Sequence, residues 1–261
     1  MKERNIRIVV SYDGSRFAGW QRQKSAPSVQ EKLERSLGEI LGCPVNITGC
    51  GRTDSKVHAV SYVANFRTKT RLTATEIRNA LNSEVMPEIL VKEAQETDLS
   101  FHSRYDATRK VYRYLLMGTK SPFLRDRASF VRPMPDMGLM KKAAAFLEGK
   151  HDFRAFQASG SSVKDTVRTV YKIRIKKEKI LLDPDIKVIS IEIEASGFLY
   201  KMARNIAGTL IHAGQGRIEP RMAGVILSSG DRKTTPPTAR PEGLYMKKVV
   251  YGRKRKENGR D

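Results

Sequence analysis

Cysteine is almost missing from this chain: Cys43 and Cys50 are the only two in 261 residues, and they form no C-x-x-C pair. A disulfide-stapled fold is therefore excluded, and a reduced, cytoplasmic setting is expected. Histidine is scarce too. His58, His102, His151 and His212 stand alone, none at metal-ligand spacing, so no metal site is expected. No apolar run approaches the ~20 residues of a spanning helix, which argues against a membrane protein. Met1-Lys2-Glu3-Arg4 leads straight into a β-branched run, so no secretory leader is expected. Acidic residues are the last shortage. Asp plus Glu number 28 against 49 Lys plus Arg, a net charge of +21 spread along the whole length. Such a field attracts polyanions, with nucleic acid first among them. A ribosomal protein would account for the charge equally well.

Phosphate-loop and dinucleotide signatures are also incomplete. Gly14 and Gly19 have the spacing of half a phosphate loop, but Trp20 replaces the Lys that loop needs. Gly49-x-Gly51 starts like a dinucleotide fingerprint, but Asp54 occupies the place of the third glycine. No cofactor is expected.

The periodicities present describe an α+β protein. Residues 6–12, 45–48, 60–66 and 89–94 read as strands. A helix begins at the capping box Ser28-Val-Gln-Glu31 and carries Val29, Leu33, Leu37, Ile40 and Leu41 on one face. A second covers 75–85, with Ile77, Leu81 and Val85 aligned. The order β-α-β-β-α-β is the ferredoxin-like unit. It recurs as strand 111–117, helix 137–147, a hairpin of 167–175 and 188–193, amphipathic helix 199–211 and strand 244–250, with a short helix near 221–227. Two pseudo-symmetric ferredoxin-like halves are expected, 1–104 and 105–251, in a mixed or antiparallel sheet flanked by helices around a central basic cleft. Residues 232–240 read as an ordered loop, and 252–261 as a basic, frayed tail.

Three segments carry candidate chemistry. Gly49-Cys50-Gly51-Arg52-Thr53-Asp54-Ser55-Lys56-Val57-His58 combines a tight Gly-rich turn with an Arg and an Asp two residues apart. A guanidinium favours the charged form of a nearby carboxylate, and a fixed carboxylate serves as nucleophile or base. In 11–23, Phe17 and Trp20 alternate with Arg16, Gln21 and Arg22, types that stack on bases or bind phosphates and base edges. For Trp20, packing at the strand-to-helix corner is an equal alternative. In 101–114, strand alternation places Tyr112 and Tyr114 on one face, opposite Arg113. Tyr114 reads as core, and His102 as a structural hydrogen-bonding residue.

These segments resemble the boxes of the TruA-type tRNA pseudouridine synthases. Tyr12-Asp13-Gly14 through Gly19-Trp20-Gln21-Arg22-Gln23 is similar to that family's first signature. Gly51-Arg52-Thr53-Asp54 through Val57-His58-Ala59 resembles its G-R-T-D-x-x-V-H-A box, in which the Asp is catalytic. Phe101-His102-x-Arg104 through Tyr112-Arg113-Tyr114 resembles a box whose first tyrosine lies over the substrate base. Phe198-Leu199-x-x-Met202-Ala203-Arg204-Asn205 resembles F-L-x-x-M-V-R-N, which implies that Arg204 partners Asp54. Glu242-Gly243-Leu244-Tyr245 resembles E-G-L-Y-L, whose leucine lines the pocket. The boxes run in the family's order to about Tyr251. Ser55-Lys56 replaces the usual Ala-Gly, Lys201 a common His, and Val111 a basic or polar residue. Lys56 stands beside the Asp and bears on RNA contacts.

The resemblance implies an isomerase that converts uridine to pseudouridine in the anticodon stem-loop of tRNA, at the family's positions 38–40, acting as a homodimer without cofactor. Asp54 is the implied catalytic residue. Tyr112, Arg52, Arg204 and Leu244 bind substrate, while Arg16, Trp20, Gln21, Arg22 and Lys56 are RNA-contact candidates. Three roles are open to Asp54: attack at C1′, attack at C6, or removal of the C2′ proton. The rivals are a synthase with another RNA target and a non-catalytic RNA-binding protein. The latter would carry an aromatic strand motif of the type [K/R]-G-[F/Y]-[G/A]-F-V-x-[F/Y], which this sequence lacks.

Overall fold

The computed structural model describes residues 2–161, 163–181 and 183–252. The basic tail expected at 252–261 lies, from 253 onward, outside the described residues. The first half runs β1 (Arg4–Tyr12), α1 (Val29–Leu41), β2 (Thr48–Gly49), β3 (His58–Thr68), α2 (Ala74–Val85) and β4 (Ile89–Thr97). The second runs β5 (Ala107–Met117), β6 (Ser129–Phe130), α3 (Met137–Ala145), β7 (Gly149–Asp152), β8 (Val167–Glu178), β9 (Val188–Ala195), α4 (Met202–Gly214), α5 (Met222–Ser229) and β10 (Leu244–Tyr251).

The sheet order is β4-β1-β3-β10-β5-β9-β8-β7, with β2 on β3 and β6 on β5. Each half thus has the ferredoxin-like order 4-1-3-2, as expected. β10, the fourth strand of the second half, runs parallel to β3 through Tyr245 and Met246 opposite His58 and Ala59. That seam makes one mixed sheet of two units.

Register sets the two faces. Ile6, Ile8 and Val10 lie opposite Phe66, Ala64 and Tyr62, while Met246 lies opposite Tyr112 and Leu244 opposite Tyr114. All ten are buried, in one core with Leu33 and Leu37 of α1, Ile77 and Leu81 of α2, and Met202, Ile206 and Leu210 of α4. Each such side chain contributes about 1.5–3 kcal/mol by leaving water. The helices therefore share one face of the sheet.

Several expectations need correction. Residues 45–47 are not a strand, and only Thr48 and Gly49 pair with β3. The backbone of Ile47 is occupied by α1 instead: its N–H donates to Glu34 Oε1 at 2.9 Å and its carbonyl accepts from Gln30 Nε2 at 3.1 Å. The Ser28 box is half-formed, since Ser28 caps the Glu31 N–H without a reciprocal bond. The complete box belongs to Thr73 and Glu76 at the start of α2. α4 begins at Met202, because Lys201 adopts a left-handed φ of 58°. It is buried around most of its circumference rather than amphipathic.

α4 also passes very close to the loop before β10. A Cβ on Gly208 would lie 2.4 Å from the Pro237 carbonyl oxygen. That loop is ordered, as expected: Arg232 donates to the Thr235 carbonyl, to Asn205 Oδ1 and to Thr238 Oγ1, and Thr238 donates to Asn205 Oδ1.

Two substitutions test these supports. Glu34→Ala strands the buried Ile47 N–H and should cost about 1–3 kcal/mol in urea denaturation. An unchanged midpoint would show that water replaces the carboxylate. Gly208→Ala should overpack the helix-to-loop contact and lower stability by about 1–3 kcal/mol. A melting temperature equal to the parent's would mean the loop shifts freely.

Candidate active site

The Gly-Arg-Thr-Asp segment is the loop between β2 and β3, and it is tied down along its length. Cys50 N–H donates to the Val63 carbonyl at 2.9 Å. The hydroxyls of Tyr12 and Thr53 are 2.9 Å apart, and Trp20 N–H donates to the Thr53 carbonyl at 3.2 Å. Gly19, at φ +107°, makes that approach possible, since a Cβ there would lie 2.4 Å from the Thr53 oxygen. On the other side, Lys110 Nζ donates to the Cys50 carbonyl at 2.6 Å. Burial lowers the Lys110 pKa and raises that of the Cys50 thiol to about 11. The thiol is thus protonated, and its sulfur lies 3.5 Å from Met246 Sδ.

Asp54 leaves this frame to meet the other half of the molecule. Its Oδ2 accepts from Arg204 Nη1 at 2.8 Å, and the two side chains are only 18% and 12% exposed. Arg204 Nε donates at the same time to the Ala239 carbonyl, also at 2.8 Å. One guanidinium thus joins the Gly-Arg-Thr-Asp loop of the first half to α4 and the loop before β10. Lys201 and Arg204 lie three positions apart, at the N-cap and in the first turn of α4.

Tyr112 is buried on the same sheet face, its ring edge-on to Phe198 with centroids 4.8 Å apart. Burial raises its pKa well above that of a free tyrosine, with the charge of Asp54 adding to the effect, so the hydroxyl is protonated. Tyr114 is fully buried and donates to the Arg240 carbonyl at 2.8 Å, a packing residue as expected. Leu244 is buried next to Tyr114 in the sheet.

The RNA-contact candidates divide. Arg16, Gln21, Arg22, Arg52 and Lys56 are exposed. Arg16 pairs with Glu88 at 3.3 Å, and Arg22 is held by the buried Glu34. Trp20 is the correction. It is 3% exposed and stacked on Tyr62 at 3.9 Å, so its ring is part of the core and has no face for a base. His102 is structural: Nδ1 accepts from the backbone N–H groups of Arg104 and Tyr105. His58 is buried, accepts from Gly14 N–H and stacks on Tyr245.

Sequence reasoning missed Lys110, Phe198 and Ala239. Lys110 has a signal, its place two residues before Tyr112 on the same face of β5. Ala239 has none, because it acts through its backbone carbonyl.

Among the described residues, no helix is long and apolar enough to cross a membrane. A family model described as tRNA pseudouridine synthase matches residues 8–106 and 143–252. A tRNA pseudouridine synthase A from Thermoanaerobacter pseudethanolicus is 44% identical over 250 residues, covering 95% of this chain and all of the relative. One from Acetivibrio thermocellus is 40% identical over 250 residues, with the same coverage. The matched stretches contain the Asp54 loop, Arg204 and Leu244, and the chain belongs to the tRNA pseudouridine synthase family.

Proposed function

We propose that this enzyme isomerises uridine to pseudouridine in the anticodon stem-loop of tRNA, with Asp54 as its catalytic residue. The observation that carries the reading is the ion pair of Asp54 and Arg204, which fixes one recessed carboxylate whose charge reaches the buried Tyr112. The chemistry breaks the N1–C1′ bond, turns the uracil and rejoins it through C5. N1 gains a proton and C5 loses one, so neither oxidant nor water is consumed. A glycoside hydrolase would need a second carboxylate and room for a water.

The target uridine leaves its stack to reach such a recessed site. Arg52, exposed on the loop two residues from Asp54, fills the vacated space or binds the phosphate there. Arg204 orients the carboxylate through its fork, as a lysine would not. Phe198, Leu244 and Tyr112 enclose the base. Asp54 then attacks C1′ or C6, or removes the C2′ proton. The hydroxyl oxygen of Tyr112, protonated by burial, takes the C5 proton as its own proton passes to solvent, and N1 takes a proton from solvent, so the exchange balances. The family resemblance extends the proposal to a homodimer binding tRNA across both subunits, in the cytoplasm. Mapping pseudouridines in tRNA from a strain lacking the gene tests the assigned target.

Asp54→Asn keeps the shape and removes the charge. tRNA affinity should persist while single-turnover pseudouridine formation vanishes; measurable product from the purified Asn variant refutes the assignment. Tyr112→Phe should lower the saturating rate at least about 100-fold with little change in Kd. Tyr114→Phe loses a hydrogen bond to a backbone carbonyl and should instead cost about 1 kcal/mol of stability. Equal, mild rate effects from both would remove Tyr112 from the chemistry.

A further inference from the structure

A groove of about 250 Å³ lies behind the loop that anchors Arg204. Its lining includes Arg132, Arg217, Arg240, His212 and the ring of Tyr114. The three arginines are exposed and come from separate segments: before α3, after α4 and before β10. Among the described residues, Arg132 and Arg217 have no carboxylate partner, and Arg240 has only Glu242 at 4.0 Å. Most of the other described arginines have a closer acid, as Arg113 does in Glu178 and Arg127 in Asp13. The backbone beneath them is fixed. Tyr114 holds the Arg240 carbonyl at 2.8 Å, Gln215 Nε2 donates to the Pro133 carbonyl at 2.7 Å, and Arg217 N–H donates to the His212 carbonyl at 3.0 Å. His212 Nδ1 donates to the Gly208 carbonyl, which leaves Nε2 as its available ring nitrogen.

Three arginines lining one groove, with a single carboxylate 4.0 Å from one of them, suit an oxyanion with several acceptor oxygens, and the planar fork matches phosphate geometry. The groove is also coupled to the candidate active site. Thr238, Ala239 and Arg240 line it, and the Ala239 carbonyl holds Arg204, which in turn holds Asp54. Only one guanidinium and two hydrogen bonds separate that wall from the carboxylate.

We propose that this groove binds a backbone phosphate of the substrate RNA, close to the uridine presented to Asp54. The proposal rests on the tRNA reading above. It adds a positioning contact outside the family boxes, built in part on Arg240 and Arg217.

The test uses the full chain with Arg132→Ala, Arg217→Ala, Arg240→Ala and the Arg132→Ala/Arg217→Ala double variant. Arg174→Ala, on the opposite sheet face, controls for the loss of one positive charge. Binding of an unmodified tRNA transcript is measured across a salt series, with single-turnover rates at saturating enzyme and melting temperatures alongside. The double variant should bind roughly tenfold more weakly, and its slope of log K against log salt should fall by about 0.7–0.9 per contact removed. The saturating rate should stay within about twofold, and Arg174→Ala should show neither effect. Groove variants that match Arg174→Ala in Kd and slope overturn the proposal. Titration with inorganic phosphate separates the sources: loss of phosphate binding with unchanged tRNA binding identifies a free-anion site and also overturns it. A wild-type protein that forms no pseudouridine in any tRNA refutes the function, whatever the groove binds.

Discussion

The arrangement depends on one guanidinium. Arg204 spans the junction between the halves, with Asp54 on one side and the Ala239 carbonyl on the other, each at 2.8 Å. An ion pair this far removed from water is poor evidence for stability, since desolvating both charges offsets much of their attraction. Losing one partner is a different matter, because it strands the other charge in a recess. The pair is thus better understood as a registration device. It specifies where the carboxylate stands relative to the sheet, and it is satisfied only when both halves are docked.

Both ends of that pair are braced: the Arg204 end within its own half, the Asp54 end by its own half and by Lys110 of β5. On the Arg204 side, Asn205 Oδ1 accepts from Arg232 and Thr238, which sets the loop whose next residue is Ala239. Gly208 lets the same loop lie directly on α4. On the Asp54 side, Tyr12, Trp20 and Lys110 hold Thr53 and Cys50 by hydrogen bonds. The stacked rings of Trp20 and Tyr62 fill the space below. A carboxylate positioned this way loses little freedom when substrate arrives, which is how pre-organised catalytic groups lower a barrier.

The sequence revealed the elements better than their connections. Strands and helices followed from period-2 and period-3.6 patterns, and the doubled β-α-β-β-α-β order pointed to the ferredoxin-like halves. Residues 45–47 misled because Val45 and Ile47 are β-branched and apolar for burial alone. The partners of Ile47 are side chains of α1, which no local pattern encodes. Trp20 was ambiguous for a similar reason: an indole beside Gln and Arg suits either an RNA platform or a core, and only the position of Tyr62 decides. Of the candidate site, the pairing of Asp54 with Arg204 was legible through motif resemblance. The carbonyls of Cys50 and Ala239 were not, since a backbone acceptor leaves no trace in residue type.

The distribution of the acidic residues explains how a chain with 28 carboxylates keeps a positive field over its site. Three of them, Glu178, Glu192 and Glu194, lie on the sheet face away from the helices. There Glu178 pairs with Arg113 at 2.5 Å and Lys176 at 3.3 Å, Glu194 with Arg109 and Arg174, and Glu192 with Lys247. Cross-strand neighbours of opposite sign stabilise a solvent-facing sheet surface and cancel its field. Glu34 and Glu88 do the same beside α1, with Arg22, Lys32 and Arg16. Arg52, Arg132 and Arg217 have no such partner among the described residues, so their charge acts outward. The net +21 is therefore not a uniform coat. Local neutralisation removes part of it from the sheet face, while guanidiniums without a close carboxylate stay beside the Asp54 loop and in the groove behind Arg204. A polyanion approaching from bulk water meets those guanidiniums with little carboxylate screening beside them.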